Sequence, residues 1–413
     1  MAYTQYLTAH EAAAALGVSL PTLYAYVSRG LIRSAAAEDG KRTRHYSQED
    51  VQQLKGRQEL RRNPTLAVAK ALHLGAPVLE SSLTLIADGR LYYRGHDAVN
   101  LALTRSVEEV AALLWLGDLK ANTTGLFAAG DHKLPSRWLA MRRRLSELLT
   151  DLAPIELFQA VLPMAAPEDV AAYDLRPVAV AQTGARILRL LTLTAVGRQH
   201  SDTDIVTTLQ EGWAAQNPSA ASLLRAALIL CADHELNVSA FTARCVASAN
   251  STPYAVVIAG LAALQGAKHG GYTDQVEAFL REVETPDRAR TIITHRLKRG
   301  ELLPGFGHPL YPDSDPRGRA LLALTSKAFP NSTAVALGKA IATHVRRSID
   351  QHPTIDFALA VLARTLTLPP GAGLALFALG RTIGWIGHAI EQYQLDQLIR
   401  PRAQYTGPAP LSS

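Results

Sequence analysis

The chain has 413 residues, of which 48% are hydrophobic and 19% charged, and its formal net charge is +6. This length exceeds what one hydrophobic core usually organises, so we expect two or three domains. Only two cysteines occur, Cys231 and Cys245, both in apolar stretches. They exclude a disulfide scaffold and a cysteine-based zinc site, so we expect a protein of the reducing cytoplasm without a bound metal.

No segment has the pattern of a targeting or membrane-spanning sequence. The N-terminal stretch lacks the basic and then apolar order of a secretory signal. The most apolar long stretch, residues 369–392, contains Arg381 and closes with His388 and Glu391. A charge at the centre of a bilayer costs several kcal/mol. We therefore predict a buried helix here, a cytoplasmic location and no membrane partner.

Residues 1–63 differ in pattern from the remainder. Thr8 and Glu11 have the spacing of a capping box at the start of a first helix, which Gly17 ends. Ser19 is placed to cap a second helix that has Pro21 in its first turn. Two short helices joined by a tight turn predict a helix-turn-helix.

A basic hairpin is predicted directly after these helices. In EDGKRTRHYSQEDVQQL, the turn residues Asp-Gly precede Lys41, Arg42 and Arg44, and a third helix is predicted to begin near Ser47. From Ser28 to Arg62 the chain has nine basic residues and five acidic ones. A basic hairpin beside a helix-turn-helix forms a wing that can lie along phosphates.

Residues 6–54 resemble MerR-type winged helix-turn-helix domains, through LTAHEAAAALGVSLPTLYAYVSRGLI and GKRTRHYSQEDV. The resemblance implies double-stranded DNA as a partner. The side chains that we assign to DNA contact are Thr22, Tyr24, Arg29, Lys41, Arg42 and Arg44. The alternative is a small helical adaptor that never meets DNA. No heptad pattern follows Arg62, so dimerisation would fall to the part of the chain beyond a linker at residues 64–75.

From residue 76 to 413 the sequence predicts an all-α fold. Apolar residues recur at helical spacing in SVEEVAALLWLGDL (106–119), and short breaks rich in glycine and proline separate such stretches. β-Branched runs are scarce. No glycine-rich loop follows a predicted strand, which excludes a Rossmann-type nucleotide site.

Seven polar side chains interrupt this helical background: His234, His269, His308, Arg317, Asp356, Arg381 and Arg400. Singly, each has a structural explanation; Asp356 would be a helix N-cap and Arg381 a buried salt-bridge partner. Jointly they suit carbonyl chemistry on a small dianionic acid. Arginines clamp carboxylates, an aspartate can take a proton from carbon beside a thioester, and histidines can hydrogen-bond an enolate or polarise a ketone.

The same residues resemble those of citrate synthases, and the resemblance spans residues 76–408. It is carried by DHELNVSAFTAR, KHGG, LPGFGHPLYPDSDPR, IDF and GRTIGWIGHAIEQ, in the order of the family. It implies that His269 stabilises the enol of acetyl-CoA, that His308 polarises the carbonyl of oxaloacetate, and that Asp356 is the base. It assigns oxaloacetate and citrate binding to His234, Arg317, Arg381 and Arg400.

The resemblance also implies an architecture and a set of partners. A large helical domain (76–269 and 368–413) and a small one (270–367) would close over oxaloacetate and the acyl-CoA. The family acts as a homodimer in which Arg400 reaches the partner's site. No tightly bound cofactor is implied, and acetyl-CoA is a co-substrate.

Three departures from the family's pattern concern the acyl-CoA side. Thr273 and Asp274 stand where the family commonly has Asn-Glu, and Pro309 and Pro312 stand where it has basic residues. The Asn before and the Ser-Gly after the catalytic Asp-Phe pair are both missing around Asp356. Two interpretations follow: an active enzyme for acetyl-CoA or propionyl-CoA with an attached module, or a non-catalytic transcriptional regulator that senses citrate or oxaloacetate.

Overall fold

The structure is a computed structural model that describes residues 6–29, 31–36, 44–48, 50–51, 54, 79–127, 135–144, 152–403 and 405–408. The chain divides into two compact units, Met1–Glu80 and Ser81–Ser413. Lys41, Arg42 and the linker predicted at 64–75 lie outside the described residues.

The first unit contains two short helices and a small sheet. Helices α1 (Ala9–Leu16) and α2 (Leu20–Ser28) precede strands β2 (Ser34–Ala36) and β3 (Arg44–Ser47), and β3 lies between β2 and β1 (Tyr6–Leu7), antiparallel to both. Its core is formed by Ala12, Ala13, Leu16, Leu23, Ile32, Tyr46 and Val51.

The helix ends of this unit test the sequence prediction. The Thr8 hydroxyl accepts from the Glu11 N–H, and the Glu11 carboxylate accepts from the Thr8 N–H, so the capping box is confirmed. Gly17 ends α1 in the left-handed conformation, as predicted. Ser19 precedes α2, but its hydroxyl pairs with the hydroxyl of Thr22 at 2.9 Å and caps no backbone N–H.

The second unit opens with strands, so the all-α prediction was wrong for this segment. Strands β4 (Thr84–Ala87), β5 (Arg90–Tyr93) and β6 (His96–Asp97) form an antiparallel sheet. The two residues of each connecting turn, 88–89 and 94–95, all have positive φ. That geometry suits two-residue hairpins, for which Asp-Gly is a strong sequence signal.

The other regular elements described in this unit are helices. In chain order they are α3 (Ala98–Thr104), α4 (Val107–Leu116), α5 (Thr123–Leu126), α6 (Ser136–Arg144), α7 (Pro154–Ala165), α8 (Pro177–Val196), α9 (Ile205–Trp213), α10 (Ala220–Leu230), α11 (Val238–Ala247), α12 (Pro253–Leu264), α13 (Tyr272–Val283), α14 (Ala289–Lys298), α15 (Pro316–Ala328), α16 (Thr333–Ile349), α17 (Ile355–Thr365) and α18 (Ala372–Leu395). Short 3₁₀ turns occur at Ala166–Glu168, Val170–Tyr173 and Pro286–Arg288.

Helix α18 runs through the larger of two hydrophobic cores. It packs against α8, α10, α11 and α12. By length and composition it could cross a bilayer, but its apolar window is entirely buried within the protein, as predicted for a core helix. Glycines allow its close packing: a Cβ at Gly260 of α12 would lie 2.5 Å from the Trp385 ring.

A second, smaller core lies between residues 276 and 361. Its members include Val276, Phe279, Phe306, Ile341 and Phe357. Helix α17 contributes to both cores, since Ile355 and Leu359 belong to the larger one. This second core falls inside the small domain predicted at 270–367, whose boundaries stay a prediction.

Candidate active site

Six of the seven predicted site residues form one cluster in the second unit. The rings of His234 and His308 meet edge to face, with centroids 5.2 Å apart. Arg317 and Arg381 both act electrostatically on His234. The positive charge of Arg317 lowers the pKa of Asp356, and that of Arg381 lowers the pKa of His269. The fold therefore brings three imidazoles, one carboxylate and two guanidinium groups to one place.

Two glycines that precede His308 fix its position. Gly305 and Gly307 have φ of 85° and 75°. A Cβ at Gly305 would lie 2.9 Å from the Cβ of Phe357, so no larger residue fits there. The backbone also holds this loop, because the Gly307 N–H donates to the carbonyl of His352.

One hydrogen bond sets the tautomer of His308. The Leu310 N–H donates to its Nδ1 at 3.1 Å. Nδ1 must therefore be the acceptor, and the ring proton lies on Nε2. Burial, with the positive charge of Arg317, lowers the pKa of His308 to about 4. His308 is thus a neutral ring at physiological pH that presents an N–H donor.

His269 lies just before α13, at the end of a tight turn. Its Nε2 is 2.7 Å from Ser239 Oγ, which is also 2.8 Å from Asn237 Oδ1, the N-cap of α11. The Ser239 hydroxyl has one proton for these two acceptors; when it donates to His269, the ring proton lies on Nδ1. Burial, and next the charge of Arg381, lower the pKa of His269 to about 4.

Asp356 is the second residue of α17, so its expected role as N-cap is wrong. The N-cap is Thr354. The half-buried Asp356 carboxylate accepts from the Thr273 hydroxyl at Oδ1 (2.9 Å), and the Thr354 hydroxyl lies 3.4 Å from Oδ2. Burial raises the pKa of Asp356, opposed by the Thr273 hydrogen bond and the charge of Arg317. Asp356 is therefore a basic carboxylate with one oxygen tightly held.

The two arginines of the cluster differ in their partners. Arg317 forms a bidentate pair with Asp315, with Nε–Oδ1 at 3.0 Å and Nη2–Oδ2 at 2.9 Å. Arg381 is 1% exposed, and its Nε donates to the carbonyl of Cys231 at 2.9 Å. Its Nη1 and Nη2 have no hydrogen-bond partner among the described residues. Arg381 is therefore not the salt-bridge partner expected from sequence, but a buried cation with two donors unused.

A second layer of side chains holds the loop that contains His234. The Thr84 hydroxyl donates to Asp233 Oδ2 at 2.5 Å, and His388 Nε2 lies 3.2 Å from Asp233 Oδ1. The Tyr93 hydroxyl bonds to the backbone of the same loop. The small sheet at residues 84–97 thus has a function in the site: it supports the His234 loop from one side.

Sequence reasoning missed three side chains that contact the predicted residues. The Tyr311 hydroxyl is 3.0 Å from His234 Nε2, and its ring lies 5.0 Å from that of His308. Ser239 and Thr273 contact His269 and Asp356 as described above. All three stand in or beside the quoted motifs, but a hydroxyl carries no signal of its own without a known neighbour.

Arg400 is not in this cluster. It is exposed in the non-helical segment after α18, and it has no hydrogen-bond or ion-pair partner in the part of the chain that the structure describes. Within those same residues, no group of three His, Cys, Asp or Glu side chains could hold a metal ion.

The residues assigned to DNA contact lie in the first unit. Tyr24 is 50% exposed, Arg29 and Arg44 are exposed, and Thr22 is half-buried. Arg44 Nη1 donates to the Ser34 hydroxyl on the neighbouring strand. Of the four side chains of this set that the structure describes, three are therefore at the surface, on α2, directly after it and on β3, and Thr22 is partly covered.

Known proteins resemble this chain over most of its length. The family model described as "Citrate synthase, C-terminal domain" matches residues 10–402. Citrate synthase 2 of Bacillus subtilis is 29% identical in an alignment 377 residues long, which covers 81% of this chain and 95% of the relative. The citrate synthase of Haloferax volcanii is 32% identical over 365 residues, covering 81% and 94%.

Solved structures have the same fold. The citrate synthase of Thermotoga maritima superposes with a TM-score of 0.69 at 27% identity, over 82% of this chain and 96% of that one. The citrate synthase of Thermoplasma acidophilum, solved as a ternary complex with carboxymethyl coenzyme A and oxaloacetate, superposes with a TM-score of 0.71 at 22% identity, over 84% of this chain and 97% of that one.

Proposed function

The chain belongs to the citrate synthase family, and from this premise we propose which substrates it condenses and which residues do so. It is an acyltransferase of the citrate synthase type, which needs no tightly bound cofactor and uses acetyl-CoA as a co-substrate. We propose that it joins acetyl-CoA, or another short acyl-CoA, to oxaloacetate. The observation that carries this proposal is the pair of unused donors of the buried Arg381, beside neutral histidines and a basic carboxylate.

Oxaloacetate binding falls to Arg381, Arg317 and His234. A buried guanidinium with two unused N–H groups is complementary to a carboxylate, which it can hold bidentately. Arg317 already shares its charge with Asp315, so Arg381 carries the larger unbalanced positive charge of the two. The relative from Thermoplasma, which holds oxaloacetate, supports this choice of ligand.

The first chemical step is removal of a proton from the methyl group of the acyl thioester. Asp356 takes the proton, and the C–H electron pair forms the carbon–carbon double bond of the enol. With the Ser239 hydroxyl turned to donate to its Nε2, His269 carries its ring proton on Nδ1 and donates a hydrogen bond from there to the thioester oxygen while charge develops on it. The base must be ionised and its partner neutral. Burial keeps His269 neutral, whereas for Asp356 burial raises the pKa, and the Thr273 hydrogen bond and the charge of Arg317 favour the ionised form.

The second step joins two carbon atoms. The enol carbon attacks the ketone carbon of oxaloacetate, and the ketone oxygen gains the negative charge. His308 donates to that oxygen from Nε2, the atom that carries its proton. Water then hydrolyses the thioester and releases CoA and citrate.

We infer a homodimer from one helix face. Helix α12, with the sequence PYAVVIAGLAAL, has no polar side to turn to solvent. Its positions that are not buried are Ala255, Ile258, Ala259, Ala262 and Ala263. A helix apolar on all sides fits burial between two protomers. In that dimer the exposed Arg400 would complete the site of the partner.

The first unit is proposed to bind double-stranded DNA in the manner of a winged helix. The helix pair, the antiparallel strands and the exposed Tyr24, Arg29 and Arg44 support this. Arg42→Ala and Arg44→Ala should each lower the slope of log affinity against log salt by about one unit. Thr22 or Tyr24 substitutions should alter sequence preference instead. A protein with no salt-dependent DNA affinity at low ionic strength would be the adaptor.

The test of the enzymatic proposal is thiol release from acetyl-CoA and from propionyl-CoA, each with oxaloacetate, by the purified full-length protein. Turnover with either donor supports the proposal, and the ratio of the two kcat/KM values identifies the donor. A protein that binds oxaloacetate yet releases no CoA from either donor would instead be the citrate- or oxaloacetate-sensing regulator. We expect turnover, because a sensor has no use for a carbon-acid base such as Asp356. We also propose that the protein is located in the cytoplasm.

A further inference from the structure

Thr273 is a buried side chain whose hydroxyl is directed at the base. It is the second residue of α13 and is 0% exposed. Its Oγ1 donates to Asp356 Oδ1 at 2.9 Å. Asp356 lies on a different element, at the start of α17. The hydrogen bond thus connects the turn that contains His269 to the helix that contains the base.

Packing fixes the side chain of Thr273 in this orientation. A Cβ added at Gly373, in the first turn of α18, would lie 3.1 Å from Thr273 Cγ2 and 3.2 Å from Glu277 Oε1. The Thr273 N–H donates to the carbonyl of Gly270 at 2.9 Å, which holds the backbone. Threonine in a helix divides between two χ1 rotamers, and contact of the methyl group with Gly373 selects one of them. With the methyl against Gly373, the hydroxyl has the Asp356 carboxylate as its acceptor.

The two carboxylate oxygens of Asp356 therefore have different roles. Oδ1 is held at 2.9 Å by Thr273, whereas the Thr354 hydroxyl lies 3.4 Å from Oδ2, beyond the usual range for a strong O–H···O bond. We propose that Thr273 is a positioning residue for the proton abstraction: it fixes the plane of the Asp356 carboxylate through Oδ1 and so presents Oδ2 to the acyl C–H bond. This inference rests on the proposed condensation.

The hydrogen bond also acts on the charge of the base. A donor to Oδ1 stabilises the ionised form, which opposes the effect of burial on the pKa of Asp356. Without that donor the carboxylate would protonate at higher pH and would rotate about its last bond. Both changes would slow the methyl deprotonation, and neither would affect oxaloacetate, which binds through the arginines.

The matched pair of variants is Thr273→Val and Thr273→Ser, assayed as full-length protein with acyl-CoA and oxaloacetate. Valine keeps the shape and loses the hydroxyl; serine keeps the hydroxyl and loses the methyl. We expect Thr273→Val to lose about 10- to 100-fold in kcat, the worth of one hydrogen bond to a charged group, with the KM for oxaloacetate unchanged. Thr273→Ser should stay within about threefold of wild type, because it still supplies the donor.

The pH profile separates this role from simple packing. In Thr273→Val the acidic limb of kcat/KM should move to higher pH, since the ionised carboxylate has lost its donor; in Thr273→Ser it should not move. Gly373→Ala, which touches no reacting group, crowds the Thr273 methyl and should lower kcat less than Thr273→Val does. The proposal would be overturned if Thr273→Val had wild-type kcat and an unmoved acidic limb of kcat/KM. It would also be overturned if Thr273→Val and Thr273→Ser lost kcat equally.

A second measurement does not depend on turnover. The Asp356 carboxyl can be titrated by carbon-13 NMR in protein labelled at aspartate, with Asp356→Asn to assign the signal. Thr273→Val should raise that pKa relative to wild type in the absence of substrates. An inactive wild type would refute the proposed function alone, whereas an unchanged carboxyl pKa in Thr273→Val would refute the role of Thr273.

Discussion

Arg381→Met should have opposite effects on ligand binding and on stability. The substitution keeps a long, unbranched side chain and removes the guanidinium. In the structure, this group is 1% exposed, has one hydrogen bond through Nε, and leaves Nη1 and Nη2 without partners among the described residues. Burial lowers the pKa of Arg381, which reflects the cost of keeping its charge away from water.

The magnitudes follow from these two facts. Loss of the buried cation opposite a ligand carboxylate should weaken oxaloacetate binding by about 2–5 kcal/mol, or about 30- to 5,000-fold in Kd. Removal of the buried charge removes the free-energy cost of its desolvation. The loss of the hydrogen bond to the Cys231 carbonyl offsets part of this gain. The unliganded variant should therefore unfold with a free energy equal to that of wild type or up to about 3 kcal/mol higher.

Isothermal titration calorimetry with oxaloacetate and thermal unfolding without ligand measure the two effects. Arg244→Met is the matched control: Arg244 is 0% exposed, but it donates to Gln392 and pairs with Glu391. That variant should lose about 1–3 kcal/mol of stability, because buried acceptors lose their donor, and should bind oxaloacetate normally. Unchanged oxaloacetate affinity in Arg381→Met would refute the assignment of the carboxylate clamp.

Three further results are expected. Asp356→Ala should lower turnover by about 10²- to 10⁴-fold with little change in oxaloacetate affinity by calorimetry, and full retention of turnover would disprove its role as base. Because burial holds the pKa of His269 and of His308 at about 4, neither ring should titrate near pH 6.5 when its imidazole signals are followed by NMR, and a midpoint near 6.5 for either ring would contradict this. Mixing Arg400→Leu with Asp356→Ala should restore about a quarter of wild-type activity if Arg400 acts in the partner's site, whereas Arg381→Leu mixed with Asp356→Ala should restore none.

The catalytic cluster could be predicted from sequence because its residues belong to short, distinctive motifs. His308 follows two glycines, Gly305 and Gly307, that both have positive φ, and Asp356 lies at the start of an apolar helix. The partners of these residues could not be predicted. Thr273 and Asp356 are 83 positions apart, and their hydrogen bond depends on how α13 and α17 pack. Long-range contacts between common residue types leave no pattern in a single sequence.

The sheet at residues 84–97 was missed for a different reason. Its turns contain Asp88-Gly89 and Arg94-Gly95, and the first of these is a strong hairpin signal. The all-α prediction followed the helical periodicity of the remaining sequence and did not use this turn signal. The sheet matters to the site, because Thr84 and Tyr93 support the loop with Asp233 and His234. A local turn signal was thus more informative than the composition of the surrounding chain.

The charges of the site explain why its histidines are neutral and why that suits the chemistry. Burial lowers the pKa of His234 well below its usual value, and the charges of Arg317 and of Arg381 lower it further. Two donors of Arg381 have no partner among the described residues. A neutral imidazole donates a hydrogen bond without adding a third positive charge beside the two arginines. When a dianion occupies the site, its negative charge raises the affinity of each ring for a proton. As the ketone oxygen becomes an alkoxide, the already directed Nε2–H of His308 can therefore be drawn toward it without any group having to reorient.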